Sequence, residues 1–342
     1  MFLACYLVLS VCYLVLSVTV LTVLTTSGIK MLLARQEVIK LLRCPKTMNA
    51  LLERDGKLVP AQANGIDSAG YNIVAGFPIV VDFDRSILKE EDTENVASVI
   101  NRPDYQGISG VIKKILLPPS IETKANVSHL MGVLHSRDTR RVLVIGGGTP
   151  GQSMEPFYKD PDIEIVSFDI YASDTVQFVA DAHDIPLPDG EFDLVIIQAI
   201  LEHVLYPEKV VSEIHRLLRD DSIVYAETPF LQNVHEGAYD FTRYTESGHR
   251  FLFRQFRMIR SGITAGTGTQ LLWSIEHFVR GLFRSRAIGK AAKLGFFWLQ
   301  YLDKVIPESH NIDSASGVYF MGVRQDEAID DSEIVAYYGG AQ

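Results

Sequence analysis

Val142-Leu143-Val144-Ile145-Gly146-Gly147-Gly148-Thr149-Pro150-Gly151 is the stretch on which the fold turns. Its first four residues are apolar and mostly β-branched, the mark of a buried strand, and they run straight into a glycine-rich turn. Glycine lacks a Cβ and tolerates positive φ, so such a turn lets a ligand approach the backbone at a helix start. Gly146, Gly148 and Gly151 keep the spacing G-x-G-x-x-G. Alone, that spacing describes a ligand-free tight turn almost as well as a nucleotide loop.

Outward from this turn, residues 163–168, 192–197 and 222–226 repeat the apolar strand pattern, and 207–218 place Val210, Val211, Ile214, Leu217 and Leu218 on one helical stripe. Strands alternating with helices predict an α/β fold, a Rossmann-like doubly wound and mostly parallel sheet. A late run, 317–323, is expected to close it as an edge strand. The second strand ends at Asp169, 23 residues after Gly146. A carboxylate there can hold an adenosine ribose in NAD or in S-adenosylmethionine, or simply cap a helix.

The segment Val179-Ala180-Asp181-Ala182-His183-Asp184-Ile185-Pro186-Leu187-Pro188-Asp189-Gly190-Glu191-Phe192-Asp193-Leu194-Val195 resembles class I S-adenosylmethionine-dependent methyltransferases of the type 11 kind. The similarity continues through Gln198-Ala199-Ile200-Leu201-Glu202-His203-Val204, Pro207, Glu213 to Leu218 and Glu227-Thr228-Pro229-Phe230, covering roughly residues 139–265. The resemblance implies that Gly146, Gly148 and Gly151 cradle the methionine portion of S-adenosyl-L-methionine. By the same likeness Asp169 binds the ribose, and Asp181 with Ala182 face the adenine. Two positions depart from the family pattern. Val144 stands where many members carry an acidic residue, and Arg219-Asp220-Asp221-Ser222 replaces a Pro-Gly-Gly turn.

Beyond the fifth strand, Pro229 to Thr245 carries His235, Tyr239-Asp240-Phe241 and Arg243-Tyr244-Thr245, similar to stretches in methyltransferases of bacterial glycan and natural-product clusters. His203 and His235 are the candidate proton acceptors at the carboxyl edge of the sheet, with Asp240 as a further catalytic candidate. Asp240 and Arg243 either orient a polar substrate or form an ion pair that pins the loop over Tyr239 and Phe241.

Residues 31–85 form a small β-rich unit whose Leu42, Cys44-Pro45, Leu51-Leu52 and closing 71–80 run resemble the zinc-ribbon-type domain of the tRNA-methyltransferase activator family. Thr47 stands where a second cysteine would be, and one thiolate cannot hold structural zinc, so no metal ligands are assigned. Such a unit must fold on its apolar core and is expected to act as a protein docking module. Residues 86–138 read as a helical linker, interrupted at Pro118-Pro119, and 266–342 as C-terminal helices with the closing strand. In 271–305 the apolar residues Leu271, Leu272, Trp273, Phe278, Leu282, Phe283, Phe296, Phe297, Trp298 and Leu302 alternate with arginines and lysines. They read as the lid's own core in preference to a membrane-surface face or a cover for an apolar substrate.

Residues 1–29 carry no charge and are long enough to cross a bilayer as a helix, with the following basic residues placing the remainder in the cytoplasm. The unchanged repeat of 5–11 at 12–18 argues equally for a dispensable leader ahead of Met31. The 342 residues include 42 Asp plus Glu against 32 Lys plus Arg, a net charge of −10 that excludes a broad nucleic-acid footprint. Three cysteines exclude a disulfide scaffold and fit a reduced compartment. The leading expectation is methyl transfer from S-adenosylmethionine to a small polar or glycan-like acceptor. An NAD-dependent oxidoreductase and a non-catalytic methyltransferase-like scaffold are the alternatives.

Overall fold

The computed structural model describes residues 32–62, 70–93 and 120–342. Expectations placed on the apolar leader and on the Pro118-Pro119 break fall outside these residues. Among the described residues no helix is long and apolar enough to cross a membrane.

The amino-terminal unit opens with α1 (Arg35–Leu41) and builds a four-stranded antiparallel sheet from β1 (Leu51–Arg54), β2 (Lys57–Pro60), β3 (Tyr71–Val74) and β4 (Phe77–Pro78). Between β3 and β4, Ala75 and Gly76 have φ of 49° and 89°. Two central residues at positive φ match the right-handed twist of the flanking strands, as a tight hairpin requires. After α2 (Glu90–Thr93) comes α3 (Ile121–His135), capped by the Ser120 hydroxyl, which accepts from the Thr123 N–H.

The main sheet contains β5 (Arg141–Ile145), β6 (Glu164–Asp169), β7 (Phe178–Val179), β8 (Phe192–Gln198), β9 (Leu218–Pro229), β10 (Phe256–Ala265) and β11 (Gly317–Arg324). Its helices are α4 (Glu155–Lys159), α5 (Pro207–Leu217), α6 (Glu246–Leu252), α7 (Thr267–Phe283), α8 (Arg286–Gly295), α9 (Glu308–Asp313) and α10 (Asp331–Ala336). The strand order is β10-β11-β9-β8-β5-β6-β7, with β5 to β9 parallel and β11 antiparallel to both neighbours. The expected mostly parallel, doubly wound sheet is therefore present. Chain direction along the sheet reverses between β5 and β8, so a crevice opens beyond their carboxyl ends.

Two expectations are corrected. The 317–323 run is not an edge strand, because β10 lies outside it. Every residue of β11 from Gly317 to Val323 is buried, as a strand covered on both faces requires, whereas β10 leaves Arg257 exposed and Arg260, Ser261 and Ile263 half-buried at the margin. The 271–305 apolar residues are likewise not a closed core. Leu272 and Leu299 are buried, but Leu271, Phe278, Leu282, Phe283, Phe296, Trp298 and Leu302 are exposed.

The amino-terminal unit is continuous with the large sheet. Val38, Leu42, Cys44, Leu51, Leu58 and Val80 belong to the same buried cluster as Val166, Phe178 and Phe192. Backbone bonds join them: the Val80 N–H donates to the Val179 carbonyl and the Arg43 N–H to that of Pro186, both at 2.9 Å. Cys44 is buried and meets the Tyr71 hydroxyl at 3.1 Å.

Candidate functional site

β5 delivers the glycine turn to the crevice. Gly146 has φ of 74°, a conformation that disfavours any side chain. There is also no room for one: a Cβ on Gly146 would meet Ile200, one on Gly147 the Ser167 hydroxyl, and one on Gly148 the Tyr171 ring. A Cβ on Gly151 would meet the Gln198 amide oxygen. The turn is thus bare backbone pressed between β6 and the loop after β8.

Asp169, at the end of β6, is buried and tied to this turn. Its Oδ2 accepts from the Gly148 N–H at 2.8 Å and its Oδ1 from the Ile170 N–H at 2.7 Å. Val144 is buried within the apolar cluster under α3, so β5 supplies no carboxylate beside the glycine turn. The polar group nearest Gly151 is Gln198, whose amide donates to Glu227 at 3.0 Å. Glu227 also accepts from the Thr123 hydroxyl at 2.7 Å and the Tyr225 hydroxyl at 2.5 Å, and burial pushes its carboxyl upward.

Asp181 is buried beside Ala182 and engaged on both oxygens. One accepts from the Ser86 hydroxyl, the other from the His183 N–H at 2.9 Å, with His183 Nδ1 at 2.6 Å. Burial alone would raise this carboxyl; the bonds from His183 and Ser86 outweigh it and hold it below the usual range. His183 Nε2 accepts from the Tyr206 N–H at 3.2 Å, which leaves Nδ1 as the donor.

The structure brings His203 and His235 together. His203 ends the 3-10 turn Leu201–His203 after β8, His235 lies in the loop after β9, and their ring centroids are 5.0 Å apart at 79°. His203 Nδ1 donates to the Tyr239 carbonyl at 2.6 Å, leaving Nε2 with its lone pair. The pKa of His235 is lowered, by burial first and then by His203, against the opposing pull of Asp240. Asp240 serves this arrangement indirectly. Its carboxylate is chelated by Arg243, with one oxygen accepting from Nη2 at 2.7 Å and also from the His235 N–H at 3.0 Å. Burial opposes its ionisation, but Arg243 prevails and brings it down to about 2. Arg243 further donates to the carbonyls of Gln232 and Thr242, so the pair clamps the loop. Tyr239 and Phe241 are exposed rather than packed beneath it.

Sequence reasoning passed over Glu202. It is fully buried, neither carboxyl oxygen has a hydrogen-bond partner, and burial pushes its pKa up to about 8. His203 Nε2 is 3.6 Å and His235 Nε2 3.9 Å from its Oε1. The three residues offer ligand atoms within 4.8 Å of one another, the one such set among the described residues wide enough for a metal ion. The available signal was an acidic residue between Leu201 and Val204 at the carboxyl end of a strand.

Residues 145–226 match the methyltransferase domain family. That match covers 82 of the 342 residues and marks this segment as a methyltransferase domain, with S-adenosylmethionine as the cofactor such a domain takes. No curated protein matches the chain. Among solved structures, a putative sarcosine dimethylglycine methyltransferase from Galdieria sulphuraria is 12% identical with a TM-score of 0.40, over 60% of this chain and 86% of its own. An S-adenosylmethionine-dependent methyltransferase from Archaeoglobus fulgidus is 15% identical with a TM-score of 0.39, over 64% of this chain and 100% of its own. A Haemonchus contortus phosphoethanolamine methyltransferase in complex with S-adenosylhomocysteine is 13% identical with a TM-score of 0.40, over 63% and 57%. The residues present fit the cofactor: the glycine cradle has no space for side chains, and a buried carboxylate stands at the end of β6.

Proposed function

We propose that this chain methylates a small polar or glycan-like acceptor bound beyond the carboxyl ends of β8 and β9. The observation that carries this reading is the meeting of His203 and His235 over buried Glu202, on the sheet edge that also bears the glycine turn. S-adenosylmethionine, when bound, supplies a methyl group already activated by its sulfonium, for in-line displacement by the acceptor. Gly146, Gly148 and Gly151 would hold the methionine portion, Gln198 the polar end that Val144 leaves without a carboxylate, and Asp169 the ribose. The Asp181 network supports the adenine side.

The protein's remaining work is alignment, exclusion of water and removal of a proton where the acceptor is a hydroxyl or an ammonium. His203 presents a lone pair at Nε2, and neutral His235 can accept a proton beside it. Glu202, protonated at neutral pH, can relay one between them. The Asp240–Arg243 clamp positions His235 without touching the acceptor.

The amino-terminal unit acts in cis on this reading. Its Val80, with Ser86 immediately after the unit, braces the 179–181 segment that would form the adenine wall.

The test is a thermal shift with S-adenosylhomocysteine and with NAD. S-adenosylhomocysteine at ~100 times its dissociation constant should add ~2.7 kcal/mol of apparent stability, and NAD none. Asp169→Ala should remove most of that gain. Buried Val144 favours a second reading, a scaffold without turnover, and silence with both ligands would establish it against the first.

A further inference from the structure

The methyl-transfer site leaves one large surface unused. α7, α8 and the 3-10 segment Phe297–Lys304 pack on one another, with Leu272 and Leu299 buried and polar contacts around them. Lys293 is buried, lies 3.6 Å from the centroid of the Trp273 ring and pairs with Glu276 at 3.0 Å. Gly289 rests so close to Arg280 and the Glu276 carbonyl that a side chain would collide. Asp303 accepts from the Gly266, Gly268 and Thr269 N–H groups and so fixes the start of α7.

With the helices held in this way, their apolar side chains face outward. Leu271, Phe278 and Leu282 fall at i, i+7 and i+11 on one stripe of α7. Phe278 is 70% exposed, Leu282 64%, Phe283 58% and Trp298 48%. Of the 24 large apolar side chains exposed among the described residues, 11 lie between Leu271 and Val305. A soluble surface does not ordinarily concentrate them so. Side chains this exposed project from the surface, a shape that enters a layer rather than receiving a helix.

The charge around them is opposite to that of the chain. Residues 267–305 carry six basic side chains, Arg280, Arg284, Arg286, Lys290, Lys293 and Lys304, against Glu276 and Asp303, net +4, whereas the whole chain is −10. Arg280, Arg284 and Arg286, with His277 and Ser285, line a cleft of about 360 Å³ where α7 gives way to α8. Trp298 and Tyr301 add amphipathic rings of the kind that settle at headgroup depth.

We propose that this face docks on an anionic lipid bilayer, with the arginine cleft on a lipid phosphate and Phe278, Leu282 and Phe283 in the acyl boundary. The inference goes beyond the methyl-transfer reading and stands if that reading fails.

Trp273 and Trp298 are the only tryptophans of the chain and none lies in the uncharged residues 1–29, so their fluorescence reports this element and not the leader. The full chain is mixed with phosphatidylcholine vesicles brominated on the acyl chains, with and without phosphatidylglycerol. Quenching is expected with phosphatidylglycerol and should weaken as salt rises. Arg280→Gln with Arg284→Gln should lower the partition roughly 25-fold, about fivefold for each guanidinium. Phe278→Ser, Leu282→Ser and Phe283→Ser together should abolish quenching while leaving the S-adenosylhomocysteine melting shift as it was. Quenching that ignores lipid charge and the arginine changes would overturn the proposal, as would none in either vesicle. Two other occupants would also overturn it. A dimer that the serine changes dissolve and vesicles do not displace would assign the face to a second copy. Stabilisation by inorganic phosphate without vesicle binding would assign the cleft to a free anion.

Discussion

Replacing Glu202 with glutamine should stabilise the protein progressively as pH rises. In the folded chain burial carries this carboxyl to about 8, against 4.5 when exposed. A raised pKa means that the fold binds the proton more tightly than the unfolded chain does, so stability is present below pH 4.5 and is lost as pH climbs toward 8. Each pH unit in that window is worth ~1.36 kcal/mol, so Glu202 costs the fold about 3 kcal/mol at pH 7. Glutamine has nearly the same shape and no proton to lose. The stability difference between Glu202→Gln and wild type should therefore widen by about 3 kcal/mol from pH 4.5 to pH 7, or roughly 6 °C in melting temperature. Urea unfolding at half-unit pH steps in the presence of EDTA measures the slope, which is insensitive to any constant offset from burying an amide. Parallel curves for the two proteins would refute the reasoning. They would mean that Glu202 is ionised in the fold, with its charge met by a protonated His203 or His235.

His203→Ala and His235→Ala should keep S-adenosylhomocysteine affinity while lowering methyl transfer ~10²–10⁴-fold on an acceptor that must lose a proton; full turnover in both would leave catalysis to alignment. Ser86→Ala removes a hydrogen bond to a buried carboxylate and should cost about 1.5–3 kcal/mol in urea unfolding, with weaker binding of S-adenosylhomocysteine in titration calorimetry. Burial holds His249 at about 3, so its neutral form is favoured in the fold and stability falls as pH drops below 6.5. At pH 5 that loss is about 2 kcal/mol, and His249→Phe should flatten this limb of the pH–stability curve.

The parallel strands were legible because a strand buried on both faces shows as an unbroken apolar run, and β5, β6 and β8 are such runs. β10 was not, since Arg257, Arg260 and Ser261 interrupt its pattern at the exposed margin of the sheet. The run in β11 announced a strand but not its place, because strand order is set by what packs on either side. At the site, the glycine turn and the two histidines could be read from motif and topology together. Glu202 could not: between Leu201 and His203 it looks like any surface glutamate, and only the packed structure deprives it of water and of partners. The same blindness applies to α7. Phe278 and Leu282 keep helical spacing whether that stripe faces a core or the outside, and what turned it outward was Gly289 and Lys293 taking the inner contacts.

The amino-terminal unit depends on the large sheet for the completion of its core. A sheet of four short strands has too little core to stand alone, and among the described residues Cys44 is the one cysteine. Its apolar side chains therefore have to be completed from elsewhere. Leu42, Leu51, Leu58 and Val80 find that completion against β6, β7 and β8, and the Cys44 thiol meets the Tyr71 hydroxyl. The backbone bonds at Val179 and Pro186 bracket Asp181, and Arg85 bonds Asp82 at 2.6 Å in the segment that carries Ser86 to that carboxylate. Removing the unit would thus expose the main core and release the segment around Asp181 in one step. The unit is therefore part of the domain's own core and is expected to be inseparable from it: a chain lacking residues 31–85 should fail to fold.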